Sequence, residues 1–160
     1  MFASLMEKVY SVIEKIAMLL AIILTIVVSA QIISRFLNIS YKWTVELSRF
    51  LFTWLGFMGL IVALKRGRVS KLTVLVDKLT GKKKTIFTLF VNIFVTVFLI
   101  ALFFSSFEVV QRTHSQKMST LPLQWSYVYL SFPFSLFFVI ILFLTRIIEQ
   151  IKKLYQEKEK

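Results

Sequence analysis

Few side chains in this sequence could perform acid–base, nucleophilic or metal chemistry. The 160 residues include 8 acidic residues, 1 His and 0 Cys. Without Cys there can be no disulfide, thiolate metal site or cysteine nucleophile. No carboxylate lies in the middle of a long apolar run, where an ion-coupled carrier that works alone needs an ionisable group. We therefore predict no catalytic, cofactor-binding or metal site in this chain, and no enzymatic activity.

His114 is the single histidine, and it lies between Arg112 and Lys117. A metal site needs several electron-pair donors, and these two flanking cations supply none. No His or Lys base accompanies the Ser, Thr and Tyr hydroxyls in a pattern that predicts nucleophilic catalysis. We interpret His114 as a solvated loop residue.

The most specific polar feature is Glu46, followed three residues later by Arg49. On a helix these two side chains share a face and can pair. One interpretation is an interfacial ion pair near a helix start, where a carboxylate is favourable. The other is a surface that faces a partner subunit, and the two interpretations are not exclusive. Glu46 and Arg49 are the candidate residues for such a surface.

The elements that must position these residues are apolar helices. Hydrophobic residues make up 58% of the chain, the mean hydropathy is +0.78 and 17 residues are Phe, whereas a soluble domain has about 45–50% apolar residues. Charge-free runs cover 16–34, 50–64, 85–107 and 118–145, and a helix needs about 20 such residues to cross a bilayer. We predict an all-α integral membrane protein with four transmembrane helices. Residues 1–160 form a single domain, with spans near 12–34, 44–65, 85–108 and 126–146.

The second apolar run is too short to span the membrane alone. Its roughly 15 residues would cover only about 22 Å as a helix. The helix must therefore begin earlier, near Trp43 or Thr44, and include Glu46 and Arg49. Charged residues this close to the membrane need a partner protein, a water-filled vestibule or the headgroup layer.

Two further segments have the spacing of amphipathic helices. At the N-terminus, one apolar stripe predicts a helix that leads directly into the first span; its residues are Leu5, Val9, Val12 and Ile16. Between helices 2 and 3, a second stripe predicts a short interfacial helix at about 70–80, ended by Gly81; its residues are Leu72, Leu75, Val76 and Leu79. The basic link at the membrane surface around this stripe consists of Lys65, Arg66, Arg68, Lys71, Lys78, Lys82, Lys83 and Lys84.

The net charge of +12 is distributed as membrane proteins distribute it. The cations lie in clusters between the apolar runs and at the chain ends, where anionic lipid attracts them. We therefore predict the lipid bilayer as a partner and no nucleic acid. With four spans, both termini lie on one side, which carries 15 cations against 5 on the other. The positive-inside rule then places both termini in the cytoplasm.

Three small or polar residues inside the predicted spans have modest expected roles. Gly56 and Gly59 are one residue short of the GxxxG spacing, so we interpret them as ordinary internal packing positions. Asn92 could form a hydrogen bond across a helix interface, which contributes about 0.6–2 kcal/mol in membrane proteins.

Two segments of this chain resemble a known family. The first is QIISRF at 31–36 with WTVELSRFLFTWLGFMG at 43–59, and the second is STLPLQWSYVYLSFP at 119–133. Both are similar to the small membrane subunit (DctQ type) of tripartite ATP-independent periplasmic (TRAP) transporters, and the resemblance covers nearly the whole chain. Two positions depart from the family pattern. Val45 stands where the family has a second acid before Glu46, and Val69 follows Lys65-Arg66-Gly67-Arg68 where the family often has His.

The resemblance implies a division of labour in a Na⁺-coupled secondary transporter. A large multi-span membrane subunit (M type) is expected to hold the Na⁺ and substrate sites, so no cofactor is expected in this chain. A periplasmic substrate-binding protein (P type) is expected to capture an organic acid of the sialic acid or C4-dicarboxylate type. The small subunit would be a multi-pass scaffold in the bacterial inner membrane. The candidate residues for its partner interface are Trp43, Glu46, Arg49, Trp54 and Trp125. A contribution to docking the binding protein is a further expectation.

Two alternatives from other classes stay open. One is an autonomous small four-helix exporter that acts as a dimer, for which the nearest carboxylate to the first span is Glu14, beside Lys15. The other is a membrane assembly subunit with no transport role.

Overall fold

The computed structural model describes residues 2–37, 39, 41–67 and 82–156. Within these residues, five helices follow one another: α1 (Phe2–Phe36), α2 (Lys42–Lys65), α3 (Lys82–Thr113), the one-turn α4 (Ser126–Tyr129) and α5 (Ser131–Gln156). Four segments are long and apolar enough to cross a membrane: Met6–Phe36, Lys42–Lys65, Thr85–Thr113 and Ser126–Lys152, the last of which joins α4 to α5. The prediction of an all-helical chain with four spanning helices is therefore confirmed.

The first two helices form an antiparallel hairpin. α1 runs without a break from the N-terminal segment into the first span, as its apolar pattern predicts. In the turn, the backbone N–H of Ile39 donates to the Ser34 carbonyl at 2.9 Å, and the Thr44 hydroxyl donates to the Tyr41 carbonyl at 2.7 Å. α2 begins at Lys42, so Glu46 and Arg49 lie within it, as the short second run requires.

Gly67 ends α2. Its φ of 67° lies in the left-handed region, which glycine adopts without a Cβ clash. In this conformation the Gly67 N–H donates to the Leu64 carbonyl at 3.2 Å, and the Arg66 N–H donates to the Val62 carbonyl at 3.0 Å. The last carbonyls of the helix thus obtain the partners that they lack within it.

The spanning helices pack in the spatial order α1, α2, α5, α3, so α2 and α5 are central. The core joins the first half of α1 to the second half of α2 and the middle of α5. Its residues are Tyr10, Ile13, Ala17, Met58, Ile61 and Val139. We call the end where α1 begins, α2 ends, α3 begins and α5 ends the terminal end. The opposite end, which holds Leu37, Ile39, Tyr41 and residues 114–125, is the hairpin end.

Three sequence predictions about packing have different outcomes. A Cβ added at Gly56 or Gly59 would meet nothing within 4 Å, so the prediction that these glycines pack within the chain is wrong. Asn92 does bridge two helices, because its side-chain amide donates to the Gln150 side-chain carbonyl at 3.1 Å between α3 and α5. The interfacial helix predicted at 70–80, its end at Gly81 and the link cations Arg68, Lys71 and Lys78 lie outside the described residues.

Candidate functional site

A small hairpin between α3 and α4 dominates the hairpin end. Lys117 and Gln124 form an antiparallel bridge. The Met118 N–H donates to the Leu123 carbonyl at 2.9 Å, and the Trp125 N–H donates to the Gln116 carbonyl at 3.0 Å. These bonds close the hairpin and leave the backbone N–H groups of its tip, residues 119–121, without partners in the ladder.

Glu46 supplies the partner that the tip needs. One carboxylate oxygen accepts the Ser119 N–H at 2.9 Å. The other accepts the Thr120 N–H at 2.9 Å, the Thr120 hydroxyl, and the Leu121 N–H at 3.1 Å. Converging backbone N–H groups form a concave anion site, and bonds to a charged acceptor are stronger than neutral ones. We call this arrangement, formed by Glu46, Ser119, Thr120 and Leu121, the Glu46 clasp.

The clasp contradicts the ion-pair interpretation of Glu46 and Arg49, while a surface that faces a partner subunit stays a prediction. Among the described residues, Glu46 forms no ion pair with Arg49, so the intrahelical pair that their spacing allows is wrong. The Glu46 carboxylate is directed toward the hairpin, because three backbone donors are fixed together by the loop. Arg49 is exposed. Sequence reasoning identified the carboxylate and the STLP segment separately, but no local signal joins residues more than 70 positions apart.

Trp54 strengthens the same junction below the clasp. Its indole N–H donates to the Tyr127 carbonyl at 3.1 Å, and its ring lies 5.7 Å from that of Phe134. One turn further on, the Ser135 hydroxyl donates to the Phe57 carbonyl at 3.1 Å. Trp54 therefore fastens α2 to α4 and α5 within the chain.

The remaining candidate residues at this end make weaker contacts with the described part of the chain. Trp43 is exposed, with its ring 6.4 Å from that of Tyr41, and Trp125 is half-buried at the start of α4. His114 is exposed, and its Nδ1 lies 3.5 Å from the Ser126 hydroxyl, which is a weak contact. Within the described ranges, no group of three His, Cys, Asp or Glu residues could hold a metal ion.

The terminal end is held by cations, and sequence reasoning did not find these contacts. Arg66 pairs with Glu14, which ties the end of α2 to α1. The Arg146 guanidinium of α5 donates to the Leu64 carbonyl, one of the last carbonyls of α2. Cations at a helix C-terminus are stabilised by its unsatisfied carbonyls and dipole. That rule explains why Lys65 and Arg66 stand at the end of α2. It does not predict that Arg146 reaches this end from α5.

The Tyr10 side chain completes this end. Its hydroxyl donates to the Phe138 carbonyl at 3.1 Å, and the Lys65 ammonium lies 5.1 Å from the centre of its ring. Tyr10 thus connects α1 to α5 across one face of α2.

Comparison with known families gives a match over most of the chain. The profile of the family described as tripartite ATP-independent periplasmic transporters, DctQ component, matches residues 24–153. The chain belongs to the DctQ family. The match includes every residue of the Glu46 clasp and both motif segments, and it excludes the first part of α1. None of the curated proteins matches the chain.

The DctQ pattern and this chain's departures from it can now be placed in the structure. The two motif segments, 43–59 and 119–133, meet at the clasp and at Trp54. Val45 lies on the exposed face of α2, while Glu46 alone serves the three backbone donors of the hairpin tip. Gly67 ends α2. It belongs to the basic segment whose sequence departs from the family pattern at Val69.

Proposed function

We propose that this chain is the accessory small subunit of a Na⁺-coupled TRAP transporter for organic acids of the sialic acid or C4-dicarboxylate type. It scaffolds the large M-type subunit, which carries the Na⁺ and substrate sites, in the bacterial inner membrane. It also helps to dock the periplasmic P-type binding protein. Membership of the DctQ family carries this proposal.

The use of polar groups inside the bundle supports the scaffold role. A substrate site needs several polar groups that converge on a shared space. Nearly every buried hydroxyl among the described residues instead donates to a carbonyl of its own chain. These residues are Ser34, Thr44, Thr96, Ser106, Ser131 and Ser135. Most of these bonds are local, and the Ser135 hydroxyl joins α5 to α2. The hydroxyls are thus used within the chain, as in a structural subunit, and do not converge on a shared space.

The charge asymmetry orients the scaffold in this proposal. The terminal end carries most of the cations and faces the cytoplasm. The hairpin end then faces the periplasm, where the binding protein delivers its cargo. Its exposed cations are Arg35, Lys42, Arg112 and Lys117. Since the clasp occupies Glu46, this end presents a positive surface that favours an acidic face of the binding protein.

The position of Glu14 counts against the autonomous exporter. That alternative needs a carboxylate free to bind and release a proton or ion within the first span. Glu14 is paired with Arg66 at the terminal end. Its charge is therefore used to join α1 to α2.

The direct test is purification of the tagged chain from native membranes in mild detergent, followed by mass spectrometry. A large multi-span membrane protein in stoichiometric amount is expected. A chain that purifies alone, or with further copies of itself only, would contradict the proposal and favour the exporter.

A further inference from the structure

We infer that the open face of α2, defined by Val45, Arg49, Phe52, Gly56 and Leu60, binds a transmembrane helix of the large subunit that presents a carboxylate to Arg49. The inference rests on the proposed function for the identity of the partner. It adds which surface makes the contact and which chemistry the partner contributes. Three features support it: the spacing of these five residues, the depth of Arg49 and the open space at Gly56.

These five residues form one continuous stripe. Their spacing of three or four positions places them on the same side of the helix. The buried residues of α2 lie on the opposite side; they are Thr44, Leu51, Met58 and Ile61. α1 and α5 cover that opposite side, and the Tyr10–Phe138 hydrogen bond joins them across it. The stripe is therefore the side of a central helix that no described element covers.

Arg49 distinguishes this face from a surface that lipid alone would cover. α2 has 24 residues, so it is about 36 Å long, and Arg49 lies about 10 Å from its start. Centred in a hydrocarbon layer of about 30 Å, the helix would place the Cα of Arg49 inside that layer. A cation at this depth is costly and is normally paired.

No acid of the described chain is placed to pair with Arg49. Glu46 is held in the clasp, and Glu108 pairs with Arg112 at 2.6 Å. Glu14 pairs with Arg66, and Glu7 and Glu149 also lie in the terminal halves of their helices. The anion that compensates Arg49 is therefore assigned to the partner helix, since no acid among the described residues pairs with Arg49.

Gly56 provides the space for a neighbouring helix. It lies two turns beyond Arg49 on the same stripe, and a Cβ placed there would meet nothing within 4 Å. A small residue allows the backbone of a second helix to come close, and close packing is a main source of helix association in lipid. The exposed faces of α1 and α3 differ, since they present large side chains such as Ile22, Ile26, Phe90 and Phe94. Such faces suit contact with acyl chains.

Photocross-linking in native membranes tests which face contacts the large subunit. p-Benzoylphenylalanine replaces Phe52 on the stripe in one variant and Phe94 on α3 in another. Phe94 is a matched control because both residues are 68% exposed. The expected result is an adduct between position 52 and one helix of the large subunit, with lipid adducts at position 94. Lipid adducts at both positions, an adduct between two copies of this chain at position 52, or a large-subunit adduct at position 94 in place of 52 would each overturn the inference.

Charge variants test the pairing in the same assay. Arg49→Glu should lower the yield of the large-subunit adduct at least about tenfold, because it places like charges together in a medium of low dielectric. Arg49→Lys should keep most of it, and Arg112→Glu is the control, since Arg112 is an exposed cation at the same end. Changing the carboxylate of the cross-linked helix to Lys should restore the yield with Arg49→Glu. An unchanged yield with Arg49→Glu, or a failure of that rescue, would contradict the pairing.

A second variant keeps the inference testable if Arg49→Glu fails to fold. Gly56→Leu fills open space, raises helix propensity and leaves the charge unchanged. The expected result is a folded chain that loses the large-subunit adduct, and retention of that adduct would contradict the close approach. If the large subunit co-purifies but is cross-linked from Phe94, the proposed function stands and only this inference fails. If no large subunit co-purifies, both fail.

Discussion

The helices are connected by different kinds of contact at the two ends of the bundle. At the hairpin end, one carboxylate on α2 accepts bonds from a rigid set of backbone N–H groups, so the shape of the loop determines the contact. At the terminal end, long cationic side chains reach a carboxylate of α1 and a carbonyl of α2. Backbone donors lose little conformational entropy when they bind, whereas an exposed ion pair immobilises two flexible chains and is screened by salt. The hairpin end should therefore be the more specific junction and the terminal end the more adaptable one.

Among the variants that test this difference between the two ends, removal of the clasp carboxylate should have the largest effect. Glu46→Ala leaves the tip N–H groups of residues 119–121 without their acceptor, so their hydrogen exchange should accelerate roughly a hundredfold or more. Exchange measured by mass spectrometry in detergent checks this, with Arg49→Ala as the matched control on the next turn of α2. Equal acceleration in both variants would show that Arg49 supports Glu46 after all. Unchanged exchange with Glu46→Ala would show that the hairpin does not depend on the clasp.

Trp54→Ala should follow in size, because it removes both an aromatic contact and a hydrogen bond of the hairpin end. A half-buried indole at a helix junction is expected to contribute about 2 kcal/mol to the free energy of unfolding. Trp54→Phe keeps the ring contact and loses the bond to the Tyr127 carbonyl, so about 1 kcal/mol is expected. Denaturant titration in detergent micelles measures both. Equal losses for the two variants would assign the whole effect to the hydrogen bond.

Tyr10→Phe tests the neutral contact at the terminal end. The substitution removes one hydrogen bond, to the Phe138 carbonyl, and keeps the ring under the Lys65 ammonium. The expected loss in the free energy of unfolding is about 1 kcal/mol, and it should not change with salt. The same titration at low and high ionic strength gives the answer. A strong salt dependence would indicate that this contact depends on the nearby charges.

The Glu14–Arg66 pair should give the smallest effect. The two side chains are 31% and 46% exposed, so their coupling should be about 0.2–1 kcal/mol and should decline as salt is added. A double-mutant cycle with Glu14→Gln and Arg66→Gln measures it. A coupling as large as the effect of Trp54→Ala would remove the distinction between the two ends.

The sequence predicted the helices better than their contacts. Helix existence depends on local apolar runs, so the four spans and the early start of α2 were predictable. The side of α1 that packs was not. Of the stripe predicted there, Val12 is 54% exposed, whereas Tyr10 and Ile13 are buried in the core. The stripe through Tyr10, Ile13 and Ala17 also has helical spacing, so periodicity alone does not say which of the two stripes faces another helix.

The sequence alone determined the membrane class, the four spanning helices, the family resemblance and the candidate polar residues. Those properties follow from composition and from short segments. Only the tertiary structure decided that Glu46 binds the hairpin tip and that Gly56 faces open space. Each depends on where distant segments meet, because a carboxylate accepts whichever donors the fold brings to it and a glycine packs only where another element arrives.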